Sequence, residues 1–185
     1  MEIGRFSIVA LLPLFVGRPL ALGCGGASAE SPGSIQETAG LVGRKAPNFS
    51  VDTVAGSKGQ VSIANLRGKV VLIDFWATFC EPCKKSFPKL QALQSKYDAN
   101  GLKIVGISED EAEDKDKIAD FARAYGAKFT LAWDGDKAIA QSYKPETMPS
   151  SFLIDKMGVV RFAHVGYHDG DAALLDKEIQ GLLQR

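Results

Sequence analysis

Hydrophobic and polar positions change their rhythm several times along this chain. Phe6 to Val16 is a mostly apolar run of eleven residues, too short to span a bilayer but of signal-peptide length. Glu30 to Gly40 is rich in Ser, Gly and Glu and shows no period, so it reads as a flexible leader. Phe49 to Asp52 and Val61 to Ile63, with Gly56 and Gly59 between them, predict a β-hairpin. Val70 to Trp76 is nearly continuous in apolar residues, the pattern of a central strand covered on both faces. From Cys80 the spacing turns helical, with Phe87, Leu90, Leu93 and Tyr97 on one side. Pro88 is expected to kink that helix, and Asn100-Gly101 to stop it.

Leu102 to Ser108 predicts the next strand, and Asp114 to Tyr125 a helix whose Ile118, Phe121, Ala122 and Tyr125 face inward. Phe129 to Ala132 reads as a short strand and Ala138 to Tyr143 as a short helix. Ser151 to Ile154 and Val159 to Val165 flank a Lys156-Met-Gly158 turn as an antiparallel pair. Ala172 to Leu183 closes as an amphipathic helix. A β-α-β half followed by a β-β-α half predicts an α/β protein, a mixed central sheet with helices on both faces.

The ends add a compartment. Arg5 marks a short basic region before the apolar run. Ala27-Ser28-Ala29 offers one cleavage site, making residues 1–29 a signal peptide and Glu30 the mature start. Leu20-Ala-Leu-Gly-Cys24 resembles a lipobox, which would end the signal at residue 23 and make Cys24 a lipidation candidate. Both readings place the protein outside the cytoplasm, in the periplasm or cell envelope, soluble or lipid-anchored. They leave a leader over 30–41 and one domain over 42–185. Without residues 1–29 the chain carries 20 basic and 21 acidic residues, a balance that argues against nucleic acid as a partner.

The candidate chemistry lies where the apolar strand runs into Cys80-Glu-Pro-Cys83. Cys80 falls at the mouth of the helix, where unpaired N–H groups and the helix dipole stabilise a thiolate. Cys83, one turn along, is close enough to close a small disulfide ring. Cys80 is therefore the candidate nucleophile and Cys83 the resolving thiol. Pro82 suits a first helical turn and stiffens the ring. Glu81 opposes thiolate formation beside it, which makes the couple more reducing, while Lys84 and Lys85 push the other way as solvated side chains. A zinc site needs more ligands than one CxxC supplies, and His164 and His168, with no ligand constellation around them, read as surface or strand-end histidines. The acidic stretch Glu109 to Asp116 reads as a solvated helix entrance, since it lacks the glycine and terminal glutamate of a calcium loop. Asp134 and Asp136 read as turn formers.

Asp74-Phe-Trp-Ala77, Cys80-Glu-Pro-Cys-Lys84 and Pro88 resemble the thioredoxin superfamily. Ala46-Pro-Asn-Phe49 and Leu66-Arg-Gly-Lys-Val-Val71 narrow the resemblance to the TlpA/ResA-like thiol-disulfide oxidoreductases, as does Met148-Pro-Ser-Ser-Phe-Leu-Ile-Asp155 further on. The resemblance spans about Val42 to Leu183. It implies a thioredoxin-like fold with an N-terminal β-hairpin and a central αβ insertion. It also implies that Asp74 is a buried acid relaying the proton of the second cysteine, and that Pro149, after Met148, is a cis-proline presenting a backbone edge to an extended substrate. Trp76 and Phe79 flank the site as candidate substrate contacts, Phe79 replacing a tryptophan common in the family. Ser86 stands where many relatives carry glutamate.

The expected activity is reduction of disulfides in exported proteins, apocytochrome c among them, with electrons from a membrane thiol donor. No cofactor is expected beyond the redox-active Cys80–Cys83 pair. A peroxiredoxin-like peroxidase would need a threonine where Ala77 stands. A tethered binding module with a structural disulfide, and a DsbA-type oxidase, are the other readings.

Overall fold

A computed structural model describes residues 40–185. The signal segment, both cleavage readings, Cys24 and residues 30–39 of the leader lie outside the described residues. The elements run β1 (Ser50–Ala55), β2 (Gln60–Ser62), β3 (Val70–Trp76), α1 (Glu81–Tyr97), β4 (Leu102–Ser108), α2 (Lys117–Ala124), β5 (Thr130–Trp133), α3 (Ala138–Tyr143), β6 (Ser150–Ile154), β7 (Val160–Val165) and α4 (Asp171–Leu183). The seven strands form one sheet in the order β2-β1-β5-β4-β3-β6-β7. β3 pairs in parallel with β4, and β4 with β5. β6 and β7 add antiparallel on one side, and the β1–β2 hairpin adds antiparallel to β5 on the other. This is the mixed α/β sheet that the hydrophobic rhythm predicts.

The centre of the sheet is β3, whose seven residues are all buried. Its alternation splits the interior in two. Val70, Leu72 and Trp76 face a core built with Phe87, Leu90, Phe121 and Leu175 of α1, α2 and α4. Val71, Ile73 and Phe75 face a second core with Phe49, Ile139, Tyr143 and Phe152. Because successive strand residues point to opposite faces, Asp74 shares the face of Leu72 and Trp76 and looks toward α1. A polar residue is thus threaded into the α1 side of the main core.

The expected boundaries hold to within a few residues, with one physical difference. The helix expected from Asp114 begins at Lys117, because Ala112–Asp114 first make a 3₁₀ turn. α1 runs as one helix through Pro88 to Tyr97. Pro88 lies on the exposed side of that helix, away from the core contacts of Phe87 and Leu90.

Gly106 explains how Trp76 fits. On the neighbouring strand β4, a Cβ at Gly106 would lie 2.6 Å from Leu131 Cδ2 and 3.0 Å from Trp76 Nε1. The missing side chain leaves room for a Leu131 methyl and for the edge of the indole. Gly106→Ala is expected to destabilise the protein by about 1–3 kcal/mol, the usual cost of overpacking a fixed core. Urea denaturation checks this, and an unchanged midpoint would show that the indole has room to shift.

Candidate active site

Cys80 is the N-cap of α1, with extended backbone torsions (φ −76°, ψ 105°), and its sulfur accepts the Cys83 backbone N–H at 3.3 Å. N-cap side chains ordinarily take such a donor through oxygen; here a sulfur takes it, so a thiolate formed on Cys80 would meet a hydrogen bond and a positive helix end together. The two cysteines are joined as a disulfide, their Cα atoms 5.3 Å apart. Both are largely covered, Cys80 being 6% exposed and Cys83 not at all. Cys80 is the more accessible sulfur by a small margin.

The approach to Cys80 is pinned by a residue that the sequence reading placed in a solvated acidic stretch. Asp110 is fully buried. Its carboxylate accepts the Thr78 backbone N–H (3.0 and 3.1 Å), the Thr78 hydroxyl (2.6 Å) and the Ser108 hydroxyl (2.7 Å). Its carbonyl accepts the Trp133 indole N–H at 2.8 Å, and Lys137 reaches the same backbone. A carboxylate with this many donors is a buried clamp on the 77–79 loop. Asp134 also proves more than a turn former, since it is buried and accepts the backbone N–H groups of Ile139 and Ala140 at the start of α3.

Asp74 is 1% exposed. One carboxyl oxygen accepts the Ser151 hydroxyl at 2.6 Å, and the other, Oδ2, has no partner. Burial disfavours the charged form and pushes its pKa from 3.8 up to about 7, against a smaller downward pull from the Ser151 hydrogen bond.

The remaining candidates divide. Glu81 is exposed and pairs with Lys84, Nζ to Oε2 2.6 Å. The pair is a solvated one, which contributes little and leaves the Glu81 carboxylate between the two cysteines. Pro82 is exposed in the first turn of α1. Phe79 is 67% exposed beside Cys80, an open apolar surface at the site's edge. Trp76 is not available to a substrate: it is fully buried, packed against Phe87 and Phe121 at ring-centroid distances of 4.5 and 4.7 Å. That expectation is corrected, because the strand ends at Trp76 with its side chain still inside the α1 core. The Met148–Pro149 peptide is cis, with Met148 half-buried and Pro149 buried. Pro149 and Asp74 border one small cavity between α1, β6 and β7.

His164 stands near the end of its strand, as expected, but it is not at the surface. It is buried on β7, with Nε2 2.8 Å from Glu178 Oε2 of α4. Two residues fourteen positions apart on different elements leave no sequence pattern, so the pair had no signal to find. His168 is exposed, as expected. Among the described residues, no group of three or more His, Cys, Asp or Glu could hold a metal ion.

A thioredoxin-type sheet that delivers a Cys-x-x-Cys disulfide to a helix N-terminus, with a buried carboxyl on the α1-facing side of its central strand, is an arrangement suited to dithiol–disulfide exchange. Residues 42–163 match the model of the AhpC/TSA family. The chain is 39% identical over 119 residues to the thiol-disulfide oxidoreductase ResA of Bacillus thuringiensis (strain Al Hakam), covering 64% of this chain and 66%, just under two thirds, of that one. It is 35% identical over 144 residues to ResA of a Bacillus cereus strain, 78% of each. A Chlorobium tepidum crystal structure assigned as a thiol:disulfide interchange protein DsbE superposes with a TM-score of 0.69 at 37% identity, covering 75% of this chain and 95% of that one. The chain belongs to the AhpC/TSA family and, within it, to the ResA-like thiol-disulfide oxidoreductases.

The Asp74 carboxyl ties stability to pH. Unfolded, it ionises near 3.8; folded, near 7. Between those values the unfolded chain has released a proton that the folded chain still holds, so stability falls as pH rises from about 4 to about 7 and is level above. The full loss is on the order of 4 kcal/mol at 1.36 kcal/mol per unit. Asp74→Asn removes this slope and should stabilise the oxidised protein more above pH 7 than below pH 5. Urea midpoints of both proteins in the two pH ranges check this, and an equal gap in both would contradict it.

Proposed function

We propose that the protein is an extracytoplasmic reductant of protein disulfides, with Cys80 as nucleophile, Cys83 as resolving thiol and Asp74 as the proton acceptor of Cys83. The observation that carries the roles of the two thiols is the asymmetry of their sulfurs, while the reducing direction rests on Glu81 between them. Cys80 caps a helix and receives an amide N–H, whereas Cys83 is fully buried on the side of the core that holds Asp74.

In the reduced protein the Cys80 thiolate attacks one sulfur of a client disulfide. That S–S bond breaks, and the departing client sulfur leaves with the electron pair and takes up a proton. Cys83 then gives its proton to Asp74 and attacks the Cys80 sulfur. The mixed disulfide breaks, the second client thiol is released, and the Cys80–Cys83 disulfide is left. The client gains two electrons and two protons. An acceptor titrating near pH 7 can take a proton from a buried thiol and lose it again at neutral pH. The two sulfurs carry all the electrons, so the reading calls for no cofactor.

Exposed Phe79 and the Met148–Pro149 loop form the docking edge for an extended client segment. Clients are exported proteins with disulfides, apocytochrome c among them. A membrane thiol carrier regenerates the dithiol, with Cys24 as a point of lipid attachment. Among the described residues, no helix is long and apolar enough to cross a membrane. Dithiol exchange is favoured over hydroperoxide reduction because Ala77 offers no hydroxyl and that of Thr78 is engaged by Asp110.

Cys83→Ser is expected to trap mixed disulfides with exported proteins through Cys80, and Cys80→Ser is not. Equal trapping by both would refute the assignment of the two thiols. The reduction potential of the pair is expected near or below about −270 mV, as in a reductant, and a value near about −120 mV would make the protein an oxidant instead.

A further inference from the structure

A buried acceptor that works once per turnover must also lose its proton. Asp74 lies on a strand without an exposed residue, so its route to solvent has to be built from neighbouring side chains. The register of the sheet supplies one. Asp74 pairs with Ser151 across β3 and β6, and Ser151 pairs with His164 across β6 and β7. Directly opposed residues share a sheet face, so the three side chains form one polar row across three strands on the side of α1 and α4.

Along that row lies a cavity of about 30 Å³, bordered by Asp74, Ser151 and His164 and reaching Tyr167 and the exposed Lys89. One water needs roughly 10–15 Å³ of such space and two or more polar neighbours, and this wall offers both. At the far end Glu178 holds His164 through Nε2. Burying an imidazole and a carboxylate together is costly unless they are bonded to each other. The bond fixes the ring and leaves Nδ1 as the nitrogen not engaged by Glu178. The other titratable groups around the row are Lys89 from α1, Tyr167 from the loop after β7, and Asp171 at the start of α4.

We propose that His164, held by Glu178, is the proton outlet of Asp74, a positioning residue through which the proton taken from Cys83 leaves by way of the cavity toward the surface at Lys89 and Tyr167. The proposal rests on the reading of Asp74 as the acceptor. The carboxyl proton passes to a water in the cavity, beside the Ser151 hydroxyl, and from there to the imidazole. The imidazolium, its charge offset by the Glu178 carboxylate, returns the proton to solvent. No electrons move, and Asp74 and His164 end each turnover as they began.

The test is single-turnover oxidation of the reduced full chain by glutathione disulfide, followed by tryptophan fluorescence across the pH range that spans the Asp74 titration. Asp74→Asn, His164→Gln and the double variant are compared with the parent. Asp74→Asn is expected to slow formation of the Cys80–Cys83 disulfide tenfold or more, within the usual range for a proton-transfer group; His164→Gln is expected to slow it as much below the midpoint of Asp74, where the acid must first discharge through the outlet before it can accept a proton, and both changes alter the pH profile. The double variant should be no slower than Asp74→Asn alone, because both residues serve one proton. A slow Asp74→Asn beside a His164→Gln protein with the parent's rate and profile would overturn the outlet and leave the His164–Glu178 pair a clasp between β7 and α4. Asp74→Asn at the parent rate would overturn the acceptor reading itself, and the outlet with it. If His164→Gln fails to fold, Glu178→Gln carries the same test, since it keeps a bond to the ring but removes the charge that supports an imidazolium; a parent-like rate and profile there overturns the outlet.

Discussion

A carboxyl group held inside the main core, on the central strand and under the cysteine helix, sets the terms for the rest of this protein. Asp74 can occupy its place only because Ser151 bonds one of its oxygens and because its proton stays on at pH values where an ordinary aspartate is charged. Everything around it is arranged to tolerate that cost. The neighbouring β3 residues on its face are apolar and packed, β6 supplies the hydroxyl, and the cavity beside Pro149 and His164 gives the group a polar side. A well-packed hydrophobe at this position would make a more stable protein. On the proposed reading, the acid is there to move a proton.

The disulfide sits in a frame held from two directions. From the helix, the Cys83 amide meets the Cys80 sulfur and orients it as a cap. From the sheet, Asp110 fixes Thr78 and with it the short loop that delivers Cys80 to the helix mouth. Asp110 is held in turn by Ser108 at the end of β4, so the loop geometry is referred back to the parallel centre of the sheet. The positioning of Cys80 is therefore a property of the sheet as much as of the helix.

The fold was legible in the sequence because its signals are local. The seven-residue apolar run of β3, the Phe87-Leu90-Leu93-Tyr97 spacing of α1 and the Cys-x-x-Cys at a strand-to-helix junction each lie within one window, and each lands where expected. What was not legible depends on partners brought together only by folding. Asp110 reads as one more acid in a charged stretch, and its bond to Thr78 spans thirty-two positions. His164 reads as a lone histidine until α4 brings Glu178 against it. Trp76 looks like a site residue by sequence proximity, but the pleat of β3 turns it inward, into the space that Gly106 leaves open.

The account stands on the protonation of Asp74, and its titration can be watched directly. Carbon-13 chemical shifts of the aspartate carboxyls, followed through a pH series on the oxidised protein with Asp74→Asn to assign the signal, give the midpoint of that one group. A midpoint near 7 is the predicted result and would establish a buried acid poised to exchange protons at neutral pH. A midpoint near the ordinary value of 3.8 would mean that the carboxyl is charged throughout the working range, and would contradict its role as acceptor.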